Sequence, residues 1–277
     1  MKPLRCTVRG CEAALQREGQ VYRCERGHSF DVARAGYVNL LQPTDKRSQA
    51  PGDSAEAVAA RVRLLELGVD AELVAASLEW LAGLGLHGGS RLADVGAGIG
   101  TWLGAWSAAG EYEAFGVDLS SRCAEAAAKR HKDAAWLVAN ADHGLPFQDG
   151  ALDVLLSVKA PKIAAEFARV LDPSGHLLVV VSAPDDLLEL RAATAGAGFS
   201  RDPAEQALEL FAGAFELQGR FEVRNRRQYD AQGLSDLLRV SYRGLRKSEA
   251  DRLAQIDFME VTTSAVFLHL RPMRPRE

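Results

Sequence analysis

Short apolar runs alternate with amphipathic stretches through the middle of this 277-residue chain. The apolar runs are four to seven residues long, as in buried strands, and the stretches between them have helical spacing. The predicted strands are Leu92–Val95, Glu113–Val117, Ala135–Val138, Leu152–Ser157 and His176–Ser182. The predicted helices are Ala55–Leu67, Ala71–Leu84, Ser120–His131 and Lys162–Leu171. This alternation predicts an α/β fold with a parallel, doubly wound sheet.

The flanking regions follow other patterns and divide the chain into three parts. Residues 1–42 form an annex, residues 43–90 a helical linker, and residues 91–277 the main domain with a C-terminal helical insertion. Asp53, three residues before Glu56, is the expected N-cap of the first linker helix. Pro173, Ser174 and Gly175 predict a turn. A terminal hairpin is expected from strands Phe221–Tyr229 and Phe258–Leu270, widened by helices Leu234–Tyr242 and Ser248–Gln255.

Composition limits the class of protein. Hydrophobic residues make up 47% of the chain, enough for a sizeable core. No apolar run approaches 20 residues and the N-terminus is not signal-like, so we expect a cytoplasmic protein with no membrane contact. The net charge is −4 and the isoelectric point about 5.9. These values are not typical of a nucleic-acid-binding protein, although a local basic patch can still bind nucleic acid.

Three of the four cysteines lie close to a histidine near the N-terminus. Cys6, Cys11, Cys24 and His28 have the spacing C-x4-C-x12-C-x3-H. Two close pairs separated by a dozen residues predict a tetrahedral zinc site, which would hold together a segment too short to build its own core. The alternative is a set of buried thiols beside a solvent-exposed histidine. Cys123 lies in a helical pattern and is expected to be a packing residue.

The stretch Arg91–Leu119 carries the strongest chemical signal. A strand pattern that includes Asp94 is followed by Gly96, Gly98 and Gly100 at alternate positions. Such a turn lets the backbone approach a ligand and points the next helix N-terminus at it. A second strand ends in Asp118, about 20 residues further on, where α/β nucleotide sites hold ribose hydroxyls. A plain strand–turn–helix and a dinucleotide site are the alternatives.

The spacing D-x-G-x-G-x-G resembles motif I of class I S-adenosylmethionine-dependent methyltransferases. The resemblance implies a Rossmann-like methyltransferase domain that binds S-adenosylmethionine beyond the carboxyl ends of its strands. The loop Asn140–His143 follows the third strand, where this fold places the adenine. The expected contacts with S-adenosylmethionine are Asp94, Gly96, Ala97, Gly98, Gly100, Thr101, Trp102, Asp118, Leu119, Ala141, Asp142, His143 and Ser157.

Together with the cysteine set, several segments resemble the 23S rRNA (guanine-N1)-methyltransferase family, which includes macrolide- and tylosin-resistance members. The segments are Gly27–Leu41, Lys46–Arg61, the glycine loop with Phe115–Ser120, Leu145–Phe147, and Ala160–Pro161. The resemblance spans nearly the whole chain. It implies zinc, S-adenosylmethionine, a homodimer, and RNA binding with methylation of guanine N1 in a hairpin loop of 23S rRNA, an rRNA-processing step with an antibiotic-resistance role in some members.

The chain departs from the family pattern around the glycine loop Gly96–Gly100, called the donor loop below. The family loop reads close to GCGEGYY, whereas this chain has Ile99, Thr101 and Trp102 in the last positions. Lys159 replaces an aromatic residue before Ala-Pro, and Asp186 stands where relatives often carry histidine. Two alternatives therefore remain: a methyltransferase acting on a small-molecule natural product, and a catalytically silent S-adenosylmethionine-binding zinc protein.

Guanine N1 must lose a proton during methylation, so a carboxylate or a water molecule has to act as base. Asp142 and Asp186 are the candidate bases. The alternative for each is a carboxylate that only stabilises the local structure. Trp102 and Tyr242 are candidates for stacking on the target base. The cations that either contact RNA or form a solvated face are Lys46, Arg47, Arg61, Arg63, Lys159, Lys162, Arg224, Arg226, Arg227, Arg239, Arg243, Arg246 and Lys247.

Overall fold

A computed structural model describes residues 3–42, 52–160, 162–194, 201–241, 252–253 and 255–273. Lys46, Arg47, Pro161, Tyr242, Arg243, Arg246 and Lys247 lie outside these residues, as does most of the predicted helix Ser248–Gln255. The helices are α1 (Ala55–Glu66), α2 (Ala71–Ala82), α3 (Thr101–Ala108), α4 (Ser121–Arg130), α5 (Ala164–Val170), α6 (Leu188–Thr194), α7 (Pro203–Phe211) and α8 (Ala231–Val240).

The strands form one small sheet and one large sheet. Their bounds are β1 (Leu15–Glu18), β2 (Val21–Cys24), β3 (Ser29–Asp31), β4 (Tyr37–Asn39), β5 (Arg91–Val95), β6 (Glu113–Asp118), β7 (Ala134–Val138), β8 (Leu152–Val158), β9 (Leu171–Ser182), β10 (Phe215–Asp230) and β11 (Phe258–Pro272). The small sheet is antiparallel, β1-β2-β3. The large sheet has the order β10-β11-β9-β8-β5-β6-β7-β4.

Within the large sheet, β4 to β9 run parallel, while β11 is antiparallel to β9 and β10 antiparallel to β11. The predicted α/β class I methyltransferase fold is therefore confirmed. Every predicted strand of the main domain is present. The predicted hairpin is also present, with α8 between its two strands. Helices α6 and α7 were not predicted.

The annex and the large sheet share a strand. Strand β4 continues from the small sheet and pairs in parallel with β7, so Val38 lies opposite Leu137. The apolar residues of the annex join the same buried cluster as one face of the large sheet. The division of the chain at residues 42 and 90 stays a prediction. Through the pairing of β4 with β7, the annex extends the edge of the large sheet.

Two local predictions were wrong. The N-cap of α1 is Ser54, whose hydroxyl accepts from the Ala57 N–H at 3.2 Å, while Asp53 instead accepts from Arg61 Nε at 2.6 Å. The Pro-Ser-Gly segment does not end an element. Strand β9 begins at Leu171 and includes this segment. Here the pairing register with β8 shifts, between the pairs Leu152–Leu171 and Val154–His176. The ion pair with Arg61 thus replaced the expected capping role of Asp53. Strand pairing likewise replaced the turn expected at Pro173–Gly175.

Apolar side chains pack on both faces of the large sheet. One face buries the annex, α5 and α7, and the other buries α2, α3 and α4, with Trp106 and Trp136 nearly inaccessible. A third cluster joins α1, α6 and α8 beside the hairpin. No helix within the described ranges is both long and apolar enough to cross a membrane.

The packing of the donor loop predicts unequal effects for two similar substitutions. Gly98 and Gly100 both have positive φ, +54° and +83°, so alanine at either position costs about 1–2 kcal/mol of strain. At Gly100 the added Cβ would also lie 2.5 Å from the Trp136 ring, whereas at Gly98 it would enter open space. We expect Gly100→Ala to lower the free energy of unfolding by a further ~1–3 kcal/mol relative to Gly98→Ala. Equal urea midpoints would contradict this packing.

Candidate functional site: a metal centre and a methyl-donor cleft

The four predicted metal ligands converge in the annex. The ligand atoms of Cys6, Cys11, Cys24 and His28 all lie within 4.8 Å of one another. The Sγ atoms of Cys11 and Cys24 are 3.8 Å apart, and His28 Nδ1 lies 3.3 to 3.6 Å from the three sulfurs. Ligands about 2.3 Å from a tetrahedral zinc ion would be separated by about 3.8 Å. The residues therefore fit zinc.

Two tight turns present these ligands. Gly27 has φ +83° and its N–H donates to the Cys24 carbonyl, and the Cys24 N–H donates to the His28 carbonyl. Although burial raises the pKa of Cys24, hydrogen bonds from the His28 and Arg26 backbone lower it to about 7. A cysteine that ionises readily is suited to metal binding, since the thiolate is the ligand. Cys123 lies in α4, buried and apart from this group.

The donor loop lies at the carboxyl edge of the large sheet, between β5 and α3. The neighbouring strands β8, β5, β6 and β7 all end at this edge. Their ends carry the predicted donor contacts: the glycine loop after β5, Asp118 and Leu119 at the end of β6, Ala141–His143 after β7, and Ser157 in β8. The topology brings these residues to one edge, while their contacts with a donor remain predictions.

Asp118 closes the loop by two backbone hydrogen bonds. Its carboxylate accepts from the N–H groups of Gly98 at 2.8 Å and Ser120 at 2.7 Å. Burial raises the pKa of Asp118, while these two hydrogen bonds lower it. Arg61 and Asp53 form an ion pair whose charges also act on Asp118. A ribose that reaches Asp118 would therefore meet an acceptor already oriented by the loop.

Asp94 is the most unusual group of the cleft. It is 2% exposed, and its Oδ1 has no hydrogen-bond partner among the described residues. Burial and the neighbouring charge of Asp118 raise the pKa of Asp94 to about 8. Ser157 Oγ, in the adjacent strand, is buried and likewise lacks a partner in the described ranges. Buried polar atoms are normally hydrogen-bonded, so these two fit a cleft that receives a polar ligand. The open space beside Gly98 fits the same ligand.

The remaining predicted contacts have varied surroundings. Ala141, Asp142 and His143 form one 3₁₀ turn, capped by Asn140, whose Oδ1 accepts from the Asp142 N–H. The Asp142 side chain is exposed. Ala97 is almost buried, and its N–H donates to the Val117 carbonyl. Thr101 is the first residue of α3.

Trp102 is 6% exposed and its ring lies 6.1 Å from that of Phe267. It belongs to the apolar core beneath α3, so stacking on a target base would require the side chain to leave this packing. Ile99 is 3% exposed. Ile99 and Trp102, two of the residues that differ from the family loop, therefore lie in the core under the loop.

Asp186 occupies a saturated position. Its Oδ2 accepts from Lys159 Nζ at 2.9 Å and Ser182 Oγ at 2.6 Å, and its Oδ1 accepts from the Ser264 N–H at 2.9 Å. It is 5% exposed. A carboxylate whose oxygens already accept three hydrogen bonds is held in one position, so this geometry favours a positioning role. Its role as a base stays a prediction.

Most of the predicted basic residues that the structure describes have partners. Arg63 forms two hydrogen bonds with Asp236, which is 1% exposed, and so ties α1 to α8. On β10, Arg224 pairs with Asp185 and Glu222, Arg226 with Glu260, and Arg227 donates to the Leu67 carbonyl. Lys162 lies near the Ala160 carbonyl, and burial lowers its pKa. Within the described residues, two members of the expected basic wall, Arg224 and Arg226, are thus paired with acids.

Removal of one metal ligand should release the ion. We expect purified protein to contain about one equivalent of zinc, and Cys24→Ser to lose it, because three ligands bind far more weakly than four. Limited proteolysis should then cut the annex. Cys123→Ser is the matched control and should retain zinc. Zinc retained in Cys24→Ser, or absent from the unmodified protein, would contradict the site.

Binding of S-adenosylmethionine should release a proton from Asp94. The cationic groups of S-adenosylmethionine favour the ionised form of Asp94. Binding therefore lowers the pKa of Asp94, which is about 8 in the free protein. At pH 7 we expect release of about one proton per ligand, and affinity that rises between about pH 6 and 8. Calorimetry in buffers of different ionisation enthalpy measures this release. In Asp94→Asn it should vanish; an enthalpy independent of buffer in the unmodified protein would refute the assignment.

Comparison with known proteins agrees with this geometry. The family model "RlmA, N-terminal", a zinc ribbon, matches residues 4–49, and the model "Methyltransferase domain" matches residues 93–179. A chain in a solved complex of the Haloferax volcanii Trm112 methyltransferase activator with a methyltransferase is 19% identical, with a TM-score of 0.52. The match covers 80% of this chain and 100% of that one, and it supports the fold alone.

Relatives of higher sequence identity are more informative. The 23S rRNA (guanine(748)-N(1))-methyltransferase of Streptomyces fradiae is 35% identical over 279 aligned residues, covering 98% of this chain and 97% of the relative. A protein of Micromonospora griseorubida, whose guanine-N1 methyltransferase name is provisional, is 36% identical over 68% of each chain. The chain is an S-adenosylmethionine-dependent methyltransferase with a zinc ribbon, and it belongs to the family of 23S rRNA (guanine-N1)-methyltransferases.

Proposed function

We propose that this enzyme methylates N1 of a guanine in a hairpin loop of 23S rRNA. The observation that carries the proposal is the match to the Streptomyces fradiae relative, which extends over both the ribbon and the methyltransferase domain. A small-molecule methyltransferase needs no such ribbon. We further propose that the enzyme is cytoplasmic, acts as a homodimer, and confers macrolide resistance through this modification.

A basic cleft supports an RNA acceptor. The first 42 residues contain seven basic and four acidic residues, a net charge of +3 in a chain whose net charge is −4. Between this ribbon and the sheet edge lies a cleft of about 260 Å³, lined by the cations Arg17, Arg34 and Lys132 together with apolar residues. His131 also lines it, but burial lowers the pKa of His131 and so favours its neutral form. No acidic side chain belongs to its lining in the described part of the chain. Clustered cations of this kind attract a phosphate backbone.

The direct test is to incubate the zinc-loaded enzyme with labelled S-adenosylmethionine and deproteinised 23S rRNA. We expect one label per rRNA, at a guanine whose N1 is blocked and therefore stops reverse transcription. Transfer to another atom, or no transfer to rRNA, would overturn the proposal. In the second case a natural-product acceptor becomes the better reading. Light scattering tests the dimer, and tylosin susceptibility of a host expressing the gene tests the resistance role.

The cleft predicts which cations contact RNA. Arg34→Ala with Lys132→Ala should flatten the dependence of log affinity on log salt by about 1.4, because each single-strand phosphate contact contributes about 0.7. Affinity for S-adenosylmethionine should be unchanged. The matched control is Lys129→Ala with Arg201→Ala, which removes two cations that already pair with Glu125 and Glu209. An equal change in both double variants would show that only overall charge matters.

A further inference from the structure

Lys159 donates to a buried carboxylate beyond the donor loop. It directly follows β8, and its φ of +47° is in the left-handed region that non-glycine residues rarely adopt. Its Nζ donates to Asp186 at 2.9 Å, and its side chain remains 39% exposed. An ammonium group has three N–H donors, so two remain for a ligand. Asp186, saturated as described above, holds Lys159 in place.

Asp70 is a second ionisable group, at the start of α2. It occupies the N-cap position, yet its side chain makes no capping hydrogen bond. The residue before it, Val69, packs in the apolar cluster that contains Leu187, Leu190 and Tyr229. Leu187 follows Asp186 directly, so this cluster brings the α2 N-terminus, the β9–α6 connection and the end of β10 together.

Four charged side chains, Lys159, Asp186, Arg61 and Glu72, act on Asp70. Burial raises the pKa of Asp70; Lys159 and Arg61 lower it, and Asp186 and Glu72 raise it further. A carboxylate with a raised pKa and no capping bond is suited to accept a proton. Its carboxylate thus feels charges from both ion pairs, through Arg61 of the pair beside the donor loop and through Lys159 and Asp186 of the other.

Tyr229 supplies an independent observation that a ligand is received here. It is 4% exposed, and its hydroxyl has no hydrogen-bond partner among the described residues. Burial raises the pKa of Tyr229, and the charges of Asp70, Glu72 and Asp186 contribute to the increase while Arg227 opposes it. Its ring packs in the same cluster as Val69 and Leu187, the neighbours of Asp70 and Asp186 in the chain. A buried hydroxyl without a partner is costly unless a ligand satisfies it.

Resting on the proposed guanine-N1 activity, we propose that this cluster is the target-base pocket, in which Asp70 accepts the N1 proton and Lys159 donates to O6. The N1–H and O6 of guanine are neighbouring donor and acceptor groups, which match a carboxylate beside an ammonium. Tyr229 lines the pocket, and Asp186 is a positioning residue.

The chemistry balances with these groups. S-adenosylmethionine, when bound, supplies the methyl group and leaves as the neutral thioether once its methyl–sulfur bond breaks. Asp70 takes the N1 proton as the N1–methyl bond forms, and later returns that proton to water. Negative charge that develops on O6 as N1 loses its proton is stabilised by Lys159. The sulfonium charge is lost and the carboxylate charge is neutralised, so the net charge is conserved.

Base analogues test the recognition step without catalysis. The probe is a transcript of the 23S rRNA hairpin around guanine 748, the position in the name of the Streptomyces fradiae relative. The target position carries guanine, inosine, or 2-aminopurine, which lacks both O6 and the N1 proton. The unmodified enzyme should prefer guanine and inosine over 2-aminopurine by about tenfold to hundredfold in affinity. Lys159→Met should reduce this preference by about threefold or more, to the part supplied by the N1–H contact with Asp70, while Lys159→Arg should retain it.

The pH profile of single-turnover transfer tests Asp70. Asp70→Asn still offers an oxygen to N1–H, so RNA affinity should change little while the rate falls about 10²–10⁴-fold. The remaining rate should rise with pH without a plateau, because hydroxide must then remove the proton. Glu79→Gln, an exposed carboxylate further along the same helix, is the matched control and should behave like the unmodified enzyme. Urea midpoints and S-adenosylmethionine affinity show that each variant is folded.

The outcomes separate two failures. If the unmodified enzyme methylates no guanine N1 in 23S rRNA, the proposed function fails and this pocket fails with it. If it methylates guanine N1, yet Lys159→Met keeps the preference against 2-aminopurine or Asp70→Asn keeps the rate, the pocket assignment alone is overturned.

Discussion

The structure depends on the constraint that neighbouring parallel strands end at one edge of a sheet. Because β5, β6 and β8 are adjacent, Asp94, Asp118 and Ser157 are forced together at their carboxyl ends. Two of these groups are buried without full hydrogen bonding. A sheet that stabilised itself alone would place apolar residues there. The polar atoms therefore mark the edge at which the donor binds, at some expense in stability.

The same edge links the donor to the proposed acceptor pocket. Asp118 holds the glycine loop, Arg61 and Asp53 lie beside it, and Asp70 connects this group electrostatically with Lys159 and Asp186. The ribbon lies at another edge, where β4 extends the sheet past β7. This separation suits a long acceptor such as RNA, with its backbone held at the basic cleft and one base inserted at the carboxyl edge.

Residues with chemically specific spacing could be predicted from the sequence. The ligand set Cys6, Cys11, Cys24 and His28 was complete because cysteine and histidine ligands must recur at turn spacing around an ion. The glycine loop was recognised because only glycine suits its three positive φ angles. Asp70 and Tyr229 were missed, since they lie 159 residues apart and carry no motif. The burial of Trp102 was not foreseen, because periodicity does not reveal which face of a short helix is buried. Its contact with the ligand stays a prediction.

A crystal structure with bound S-adenosylhomocysteine, the demethylated donor, tests the central claim most directly. The account predicts the ligand over Gly96–Gly100, with its ammonium group within hydrogen-bond distance of Asp94 Oδ1 and its ribose at Asp118. The sulfur should face the space between Ser157 and Lys159. Density for the ligand at any other edge of the sheet, or an Asp94 carboxylate still without a partner when the ligand is bound, would contradict it.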